Sequence, residues 1–423
     1  MRRLAATLLL IAALTPLLWL REPVREGRPG PPDLRFYPLD TSGLDRRSLG
    51  PFRLVSAWTI EDRSGRFGSY SGLVALGGGR LLTVSDTGLS LEFSAPGASD
   101  RRRSVGGSVV YPSADKYRQD AEAATLDPST GQIWVAFEFS NIVARFENRH
   151  GKLVKSKAAA HPPAMCTWGN NSGPESLTRL PDGRFLAIRE GFIAMFERRL
   201  HQAVLFAGDP VEQPDAATRF SFVGPEGYSP TDATSLPDGR VLVLLRRVVW
   251  PMPPRFGGAI AIGDPRAIRR NREWPVRVLA TWRGGIPVDN FEGLAIEPTD
   301  EATGDEPLTL WVISDDNRAS LQRSVLWKLR LDLADLPGSK QKGARNPRTP
   351  SHCAGRERPP VRFASGRDLD QLLQLALHLE RGLRKLRVLG FEQPVVEPAV
   401  VLDRAQAVRR DAELVAAVKR FGH

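Results

Sequence analysis

Cysteine and histidine are scarce in this chain: two cysteines and six histidines among 423 residues. Cys166 and Cys353 allow at most one disulfide, and two lone thiols fit the same count. His150, His161, His201, His352, His378 and His423 all fall outside the repeated polar positions described below. That excludes a Ser-His-Asp triad and a histidine-rich zinc centre at those positions. There is no G-x-S-x-G elbow either, because Gly68–Gly72 reads GSYSG and puts Tyr70 where the serine would stand. Walker-type and dinucleotide-binding loops are likewise missing.

Long apolar runs are confined to one place. Arg2-Arg3 precede an uncharged, mostly apolar stretch from Leu4 to Leu20, followed by charged residues and GRPGPP. This is the pattern of a signal peptide or signal anchor. Seventeen residues span roughly 26 Å as a helix, marginal for a bilayer, and no small-x-small cleavage site follows Trp19-Leu20. The expectation is an exported protein, periplasmic, secreted, or held to a membrane by an uncleaved N-terminus.

The net charge of +11 would suggest a nucleic-acid ligand if it were spread over the fold. It is not. Residues 1–28 and 340–423 together hold 22 of the 59 basic and 11 of the 48 acidic residues, leaving 37 of each sign between them. The central part is neutral, and no nucleic-acid partner is expected.

What the sequence does contain is a repeat. Five segments align: YSGLVALGGGRLLTVSDTG, DAEAATLDPSTGQIWVAFEFS, GPESLTRLPDGRFLAIREGF, SPTDATSLPDGRVLVLLRRV and NFEGLAIEP…LTLWVISDDN. Each joins a short strand to a strongly apolar strand through a glycine-containing turn, and LPDGR occurs twice, at Leu180–Arg184 and Leu236–Arg240. Strands recurring every 50 to 60 residues with little helix predict an all-β fold, a β-propeller. Six blades are expected, one of them degenerate, with five as the alternative. Phe52–Ile60 would pair with the last strands and close the ring. The expected organisation is a leader over 1–28, a propeller over 50–337, a basic linker over 338–366 and a helical tail over 367–423. In the tail, Leu369, Leu372, Leu373, Ala376, Leu379, Leu383 and Leu386 recur at helical spacing.

Two polar columns emerge from the alignment. Heads of the first strands place Ser71, Glu122, Glu175, Asp232 and Glu292 in register; tails of the second strands place Asp86, Glu138, Glu190, Arg246 and Asp315 in register. Strands joined by a tight turn are antiparallel, so both columns belong at one end of the ring. Asp316, Asn317, Asn171 and Asn290 lie close by in sequence. Carboxylates in such number raise one another's pKa or recruit cations, and hard oxygen ligands favour Ca²⁺ over Zn²⁺. A repeated polar position also serves in propellers as a brace between blades, but a brace would keep one residue type.

On these blocks, DAEAATLDPSTGQIWVAFE, NNSGPESLTRLPDGRFLAIRE, PTDATSLPDGRVLVLLRR and NFEGLAIEP…LWVISDDN, the chain resembles the phytase-like domain family, described as having esterase-like activity. The resemblance runs from about Phe52 to Leu333. It implies a propeller related to the calcium-dependent β-propeller phytases, with Glu122, Glu175, Glu292, Asp315, Asp316 and Asn317 at the family's acidic positions. Where the family shows D-x-E-G, this chain has Asp120-Ala121-Glu122-Ala123.

The expected function is therefore an exported hydrolase of phosphate or other small-molecule esters, acting as a monomer. Calcium would be held by Glu122, Glu175, Glu292 and Asp315, with Asp86, Glu138, Asp316 and Asn317 as further ligands. Arg246 would clamp a substrate oxygen, and Asp232 or Glu190 would orient the attacking water. A lactonase-like hydrolase and a non-catalytic ligand- or partner-binding propeller are the alternatives.

Overall fold

The computed structural model describes residues 32–338, apart from short stretches at 43–45, 66, 100–104, 110–119, 150–151, 170–171, 195–196, 252–253, 284–287, 299–305 and 320. The expected leader, the basic linker beyond Gly338, the helical tail, Cys353 and Asn171 lie outside the described residues. Cys166 is an exposed free thiol.

The chain enters on β1 (Leu34–Pro38) and β2 (Phe52–Asp62). Blade 1 follows as β3 (Tyr70–Gly77), β4 (Arg80–Ser85), β5 (Leu89–Ser94) and β6 (Val105–Val109). Blade 2 is β7 (Ala121–Leu126), β8 (Gln132–Phe137), β9 (Ile142–Arg149) and β10 (Lys152–Ala160). Blade 3 is β11 (Pro174–Arg179), β12 (Phe185–Ala194), β13 (Glu197–Phe206) and β14 (Ala217–Val223). Blade 4 has β15 (Ser229–Ser235), β16 (Val241–Pro251) and β17 (Pro254–Gly263). Its connection then adds β18 (Glu273–Pro275) parallel to β14 at the edge of blade 3, before β19 (Arg277–Arg283) completes blade 4. Blade 5 is β20 (Asn290–Ile296), β21 (Leu308–Asp315) and β22 (Ser324–Leu331).

These sheets make a five-bladed propeller, not the expected six. β2 pairs antiparallel with β22, from Phe52↔Leu331 to Ile60↔Ser324. The N-terminal strand therefore completes the last blade and closes the ring, as the sequence predicts, but makes no blade of its own. Among the described residues helix is limited to short 3-10 turns, and no helix is long and apolar enough to cross a membrane.

The apolar second strands are explained by where they sit. Each of the five hydrophobic clusters lies between two neighbouring blades. In β16, Val241, Val243 and Leu245 pack towards blade 3, whereas Leu242 and Leu244 pack towards blade 5. A strand covered on both faces has no polar face, so its sequence loses the alternation of a half-exposed sheet. Trp282, Phe291 and Trp327 fill the seam between blades 4 and 5, with ring centroids 4.6 to 6.1 Å apart.

Candidate metal centre

One local irregularity, repeated five times, builds the mouth. Every innermost strand slips register by one residue near its start: between Tyr70 and Gly72, Ala121 and Ala123, Pro174 and Ser176, Pro230 and Asp232, and Phe291 and Gly293. The skipped residues are Ser71, Glu122, Glu175, Thr231 and Glu292. A bulge re-aims a side chain out of the ordinary alternation, here on the same turn of every blade. The second column is placed as the sequence aligned it: Asp86, Glu138, Glu190, Arg246 and Asp315 each follow the residue paired next to the bulge.

The first column needs one correction. In blade 4 the bulge residue is Thr231, and Asp232 occupies the position held elsewhere by Gly72, Ala123, Ser176 and Gly293. That position faces the next blade. A Cβ on Gly72 would lie 2.7 Å from the backbone nitrogen of Ala124, and one on Gly293 would lie 2.8 Å from Leu73 Cβ. Glycine at this position thus serves blade-to-blade approach in blades 1 and 5, and Ala123 is fully buried in the same place. Asp232 uses both carboxylate oxygens there, accepting from Leu294 N in blade 5 and from its neighbour Ala233 N, each at 2.7 Å. Burial pushes its carboxyl well above the ordinary range.

Asp316 and Asn317 are also turned to other work. Asp316 accepts from Ser69 N at 3.0 Å, Arg318 N at 2.9 Å and Ser324 Oγ at 2.7 Å, latching the loop after β21 to blade 1. Asn317, with φ +47°, donates its side-chain amide to Gln322 Oε1 at 2.9 Å.

The remaining acids crowd together. Asp120, Glu122 and Glu138 each present a carboxylate oxygen within 4.8 Å of the others, and Glu138, Glu175 and Glu190 do the same. Glu138 belongs to both triads. Asp120 was missed as a site residue, although it pairs with Glu138 through the backbone bond Glu138 N to Asp120 O at 2.9 Å. Its signal was its place two residues before an aligned acid.

Beside the second triad the Arg246 guanidinium offsets part of the charge. Arg246 donates to Asn290 Oδ1 at 2.7 Å and to Glu190, and lies 3.1 Å from Glu292 Oε1. Asn290 in turn donates to Glu292 Oε1 at 2.7 Å. The acids nearby are pushed upward by burial first and by one another second. Glu292 reaches about 7 despite Arg246, and Glu138 also reaches about 7, with Asp120 as its largest charged neighbour. Asp86 rises to about 6, and burial with neighbouring carboxylates holds Glu122, Glu175 and Asp315 well above the ordinary carboxylate range.

These groups suit a hard divalent cation. The donors are oxygens, they converge in two triads, and their crowding disfavours ionisation unless positive charge is added. Two buried oxygens, Ser71 Oγ and Asp86 Oδ1, have no hydrogen-bond partner. His201 is buried behind the rim with Nδ1 2.8 Å from Glu190 O and Nε2 3.2 Å from Tyr228 O, and so offers no nitrogen to a metal.

The family model described as "Phytase-like: Esterase-like activity of phytase" matches residues 65–318, more than half of the chain. The chain belongs to the phytase-like family. No curated relative matches in sequence. Among solved structures, the PQQ-bound aldose sugar dehydrogenase of Streptomyces coelicolor is 12% identical, over 67% of this chain and 98% of that one, with a TM-score of 0.39. The hydrazine synthase of Kuenenia stuttgartiensis is 13% identical, over 63% of this chain and 66% of that one, with a TM-score of 0.32. Such distant likenesses say nothing about the chemistry of this phytase-like mouth, which its own residues must supply.

Proposed function

We propose that this phytase-like protein is an exported, calcium-dependent hydrolase of small-molecule esters whose reaction centre is the acidic mouth. The observation that supports this reading is the pair of carboxylate triads joined through Glu138 and flanked by the Arg246–Glu190 ion pair. Calcium would be held by Asp120, Glu122, Glu138, Glu175 and Glu190, with Asp86 and Asp315 close enough to tune the field. When bound, it supplies positive charge that offsets the carboxylates and polarises an ester oxygen.

The chain's own residues do the rest. Glu190 is oriented by Arg246 and sits at the junction between the triads and the rim, where it accepts the proton of an attacking water. Glu292, bonded to Asn290 and Arg246, holds the guanidinium in place. Asp232 has no part in proton transfer, since both its oxygens are committed to backbone N–H groups.

Arg246 also bears on the substrate. Its guanidinium is engaged by Glu190, Glu292 and Asn290, so it steadies the rim and does not stand open as a phosphate clamp. That favours an uncharged ester, including a cyclic one as in a lactonase-like reaction, over a multiply phosphorylated substrate. The test is turnover of p-nitrophenyl acetate, p-nitrophenyl phosphate and a lactone by the full chain, with calcium and after chelation. Chelator-sensitive hydrolysis of acetate or lactone, lost in Glu190→Gln, is expected. Hydrolysis of the phosphate alone contradicts the substrate reading. Calcium binding without turnover of any ester would leave a ligand-binding propeller.

A further inference from the structure

Glu190 stands where blade 3 breaks its ladder. Between β12 and β13 the pairing runs regularly from Phe185↔Phe206 to Ile188↔Ala203 and resumes at Phe192↔His201. Arg189, Glu190 and Gly191 of β12 thus lie opposite Gln202 alone. In blade 4 the same stretch is unbroken, and Arg246↔Gly258 and Arg247↔Gly257 continue the ladder. A bulge re-aims its residues but leaves their backbone groups in need of other partners.

Side chains of β13 supply what the ladder withholds. His201 Nδ1 lies 2.8 Å from Glu190 O, and Gln202 Oε1 accepts from Arg189 Nη1 at 3.0 Å. The Glu190 N–H turns the other way and donates to Gly173 O at 3.2 Å. His201 is fully buried, and its ring packs on that of Phe222, its partner in β14, with centroids 5.8 Å apart. The second ring nitrogen, Nε2, lies 3.2 Å from Tyr228 O. Tyr228 immediately precedes Ser229, which pairs with Arg246. One ring therefore spans from the backbone of Glu190 to the strand pair that carries its arginine. Carbonyl oxygens only accept, so a neutral ring donates to one of the two, and the shorter contact makes Nδ1–H the donor.

We propose that His201 is a positioning residue, which holds the bulge that aims Glu190 into the mouth and sets its spacing from Arg246. A buried carbonyl deprived of this donor shifts to find another or stays unpaired, and the Glu190 carboxylate shifts with it. Small misplacements of a reacting group cost rate steeply. The proposal rests on the reading of Glu190 as the group that accepts the water's proton. His201 acts through Glu190, and no proton passes to it.

The test compares the full chain as wild type, His201→Leu, His201→Asn and His201→Gln, with p-nitrophenyl acetate and a lactone in the presence of calcium. Leucine removes both nitrogens, asparagine keeps a donor at the place of Nδ1, and glutamine keeps one near the place of Nε2. His201→Leu should lower kcat about tenfold or more with KM little changed. Most of that loss should be recovered in His201→Asn but not in His201→Gln. His201→Leu should not lower the residual turnover of Glu190→Gln any further. Circular dichroism checks folding, and if the leucine variant does not fold, the comparison of asparagine with glutamine decides. Equal kcat in those two variants, or a further loss in the Glu190→Gln background, would overturn the proposal and leave His201 a core residue. Absence of turnover in the wild type would overturn the hydrolase reading alone. Unfolding in chelator then decides the positioning: Arg246→Met should lower the denaturant midpoint less in the His201→Gln background than in the wild type. Equal shifts would overturn it.

Discussion

Glu138 and Gly173 meet across the seam between blades 2 and 3. The backbone N–H of Gly173 donates to Glu138 Oε1 at 3.2 Å, and a Cβ on residue 173 would lie 2.8 Å from Glu138 Cα. Only glycine lets the backbone come this close, and the contact fixes the carboxylate shared by both triads. Gly173→Ala should therefore displace Glu138. Calorimetry should show calcium affinity reduced at least about tenfold, and denaturant unfolding should show a loss of about 1–3 kcal/mol from overpacking.

The raised carboxyls make a pH prediction whose sign is opposite to that of ordinary paired acids. Glu138 and Glu292 sit at about 7 in the folded chain, above the range of an unfolded glutamate. The folded state thus holds more protons between about pH 4.5 and 7, and stability falls as pH rises through that window. Each such group contributes on the order of 3 kcal/mol to the change. Thermal unfolding in chelator should give a lower Tm at pH 8 than at pH 5. Calcium should remove or reverse that difference, and calcium uptake at pH 7 should release protons.

Arg246 pairs with two acids of the rim, Glu190 and Glu292. Arg246→Met leaves Glu190 and Glu292 without their partner, which should cost about 3 kcal/mol of stability in chelator. Removing positive charge from the mouth should also tighten calcium binding. Unfolding curves with and without calcium separate the two effects.

Asp232 separates a brace from a base. Asp232→Ala leaves Leu294 N–H buried without an acceptor, a loss of about 1–3 kcal/mol. Calcium affinity and turnover per folded molecule should stay at the wild-type level. A selective loss of turnover would return Asp232 to the chemistry.

Much of this mouth was legible in the sequence because the fold repeats. The second column was right in all five blades, since each member follows the apolar run directly. The first column failed in blade 4, where Asp232 was aligned in place of Thr231. The interval to Arg246 carried the warning: 14 residues from Asp232 but 15 from Thr231, matching the 15 or 16 of blades 1 to 3. A bulge cannot be seen in residue type, so an acid one position late looks like a column member. Asp316 misled for a related reason. Loop acids that bond backbone N–H groups have the same sequence appearance as ligands. The blade count failed because the five aligned repeats are all the blades there are among the described residues, and Phe52–Ile60 completes the fifth sheet without a sixth beside it.

We propose that the triads sharing Glu138 bind calcium, and the most direct test is calorimetric titration of the full chain with Ca²⁺ at pH 7.5, wild type against Glu138→Gln. Saturable binding by the wild type, lost in the variant while the fold is retained, is the predicted result. No saturable heat, or equal binding by both proteins, would contradict it.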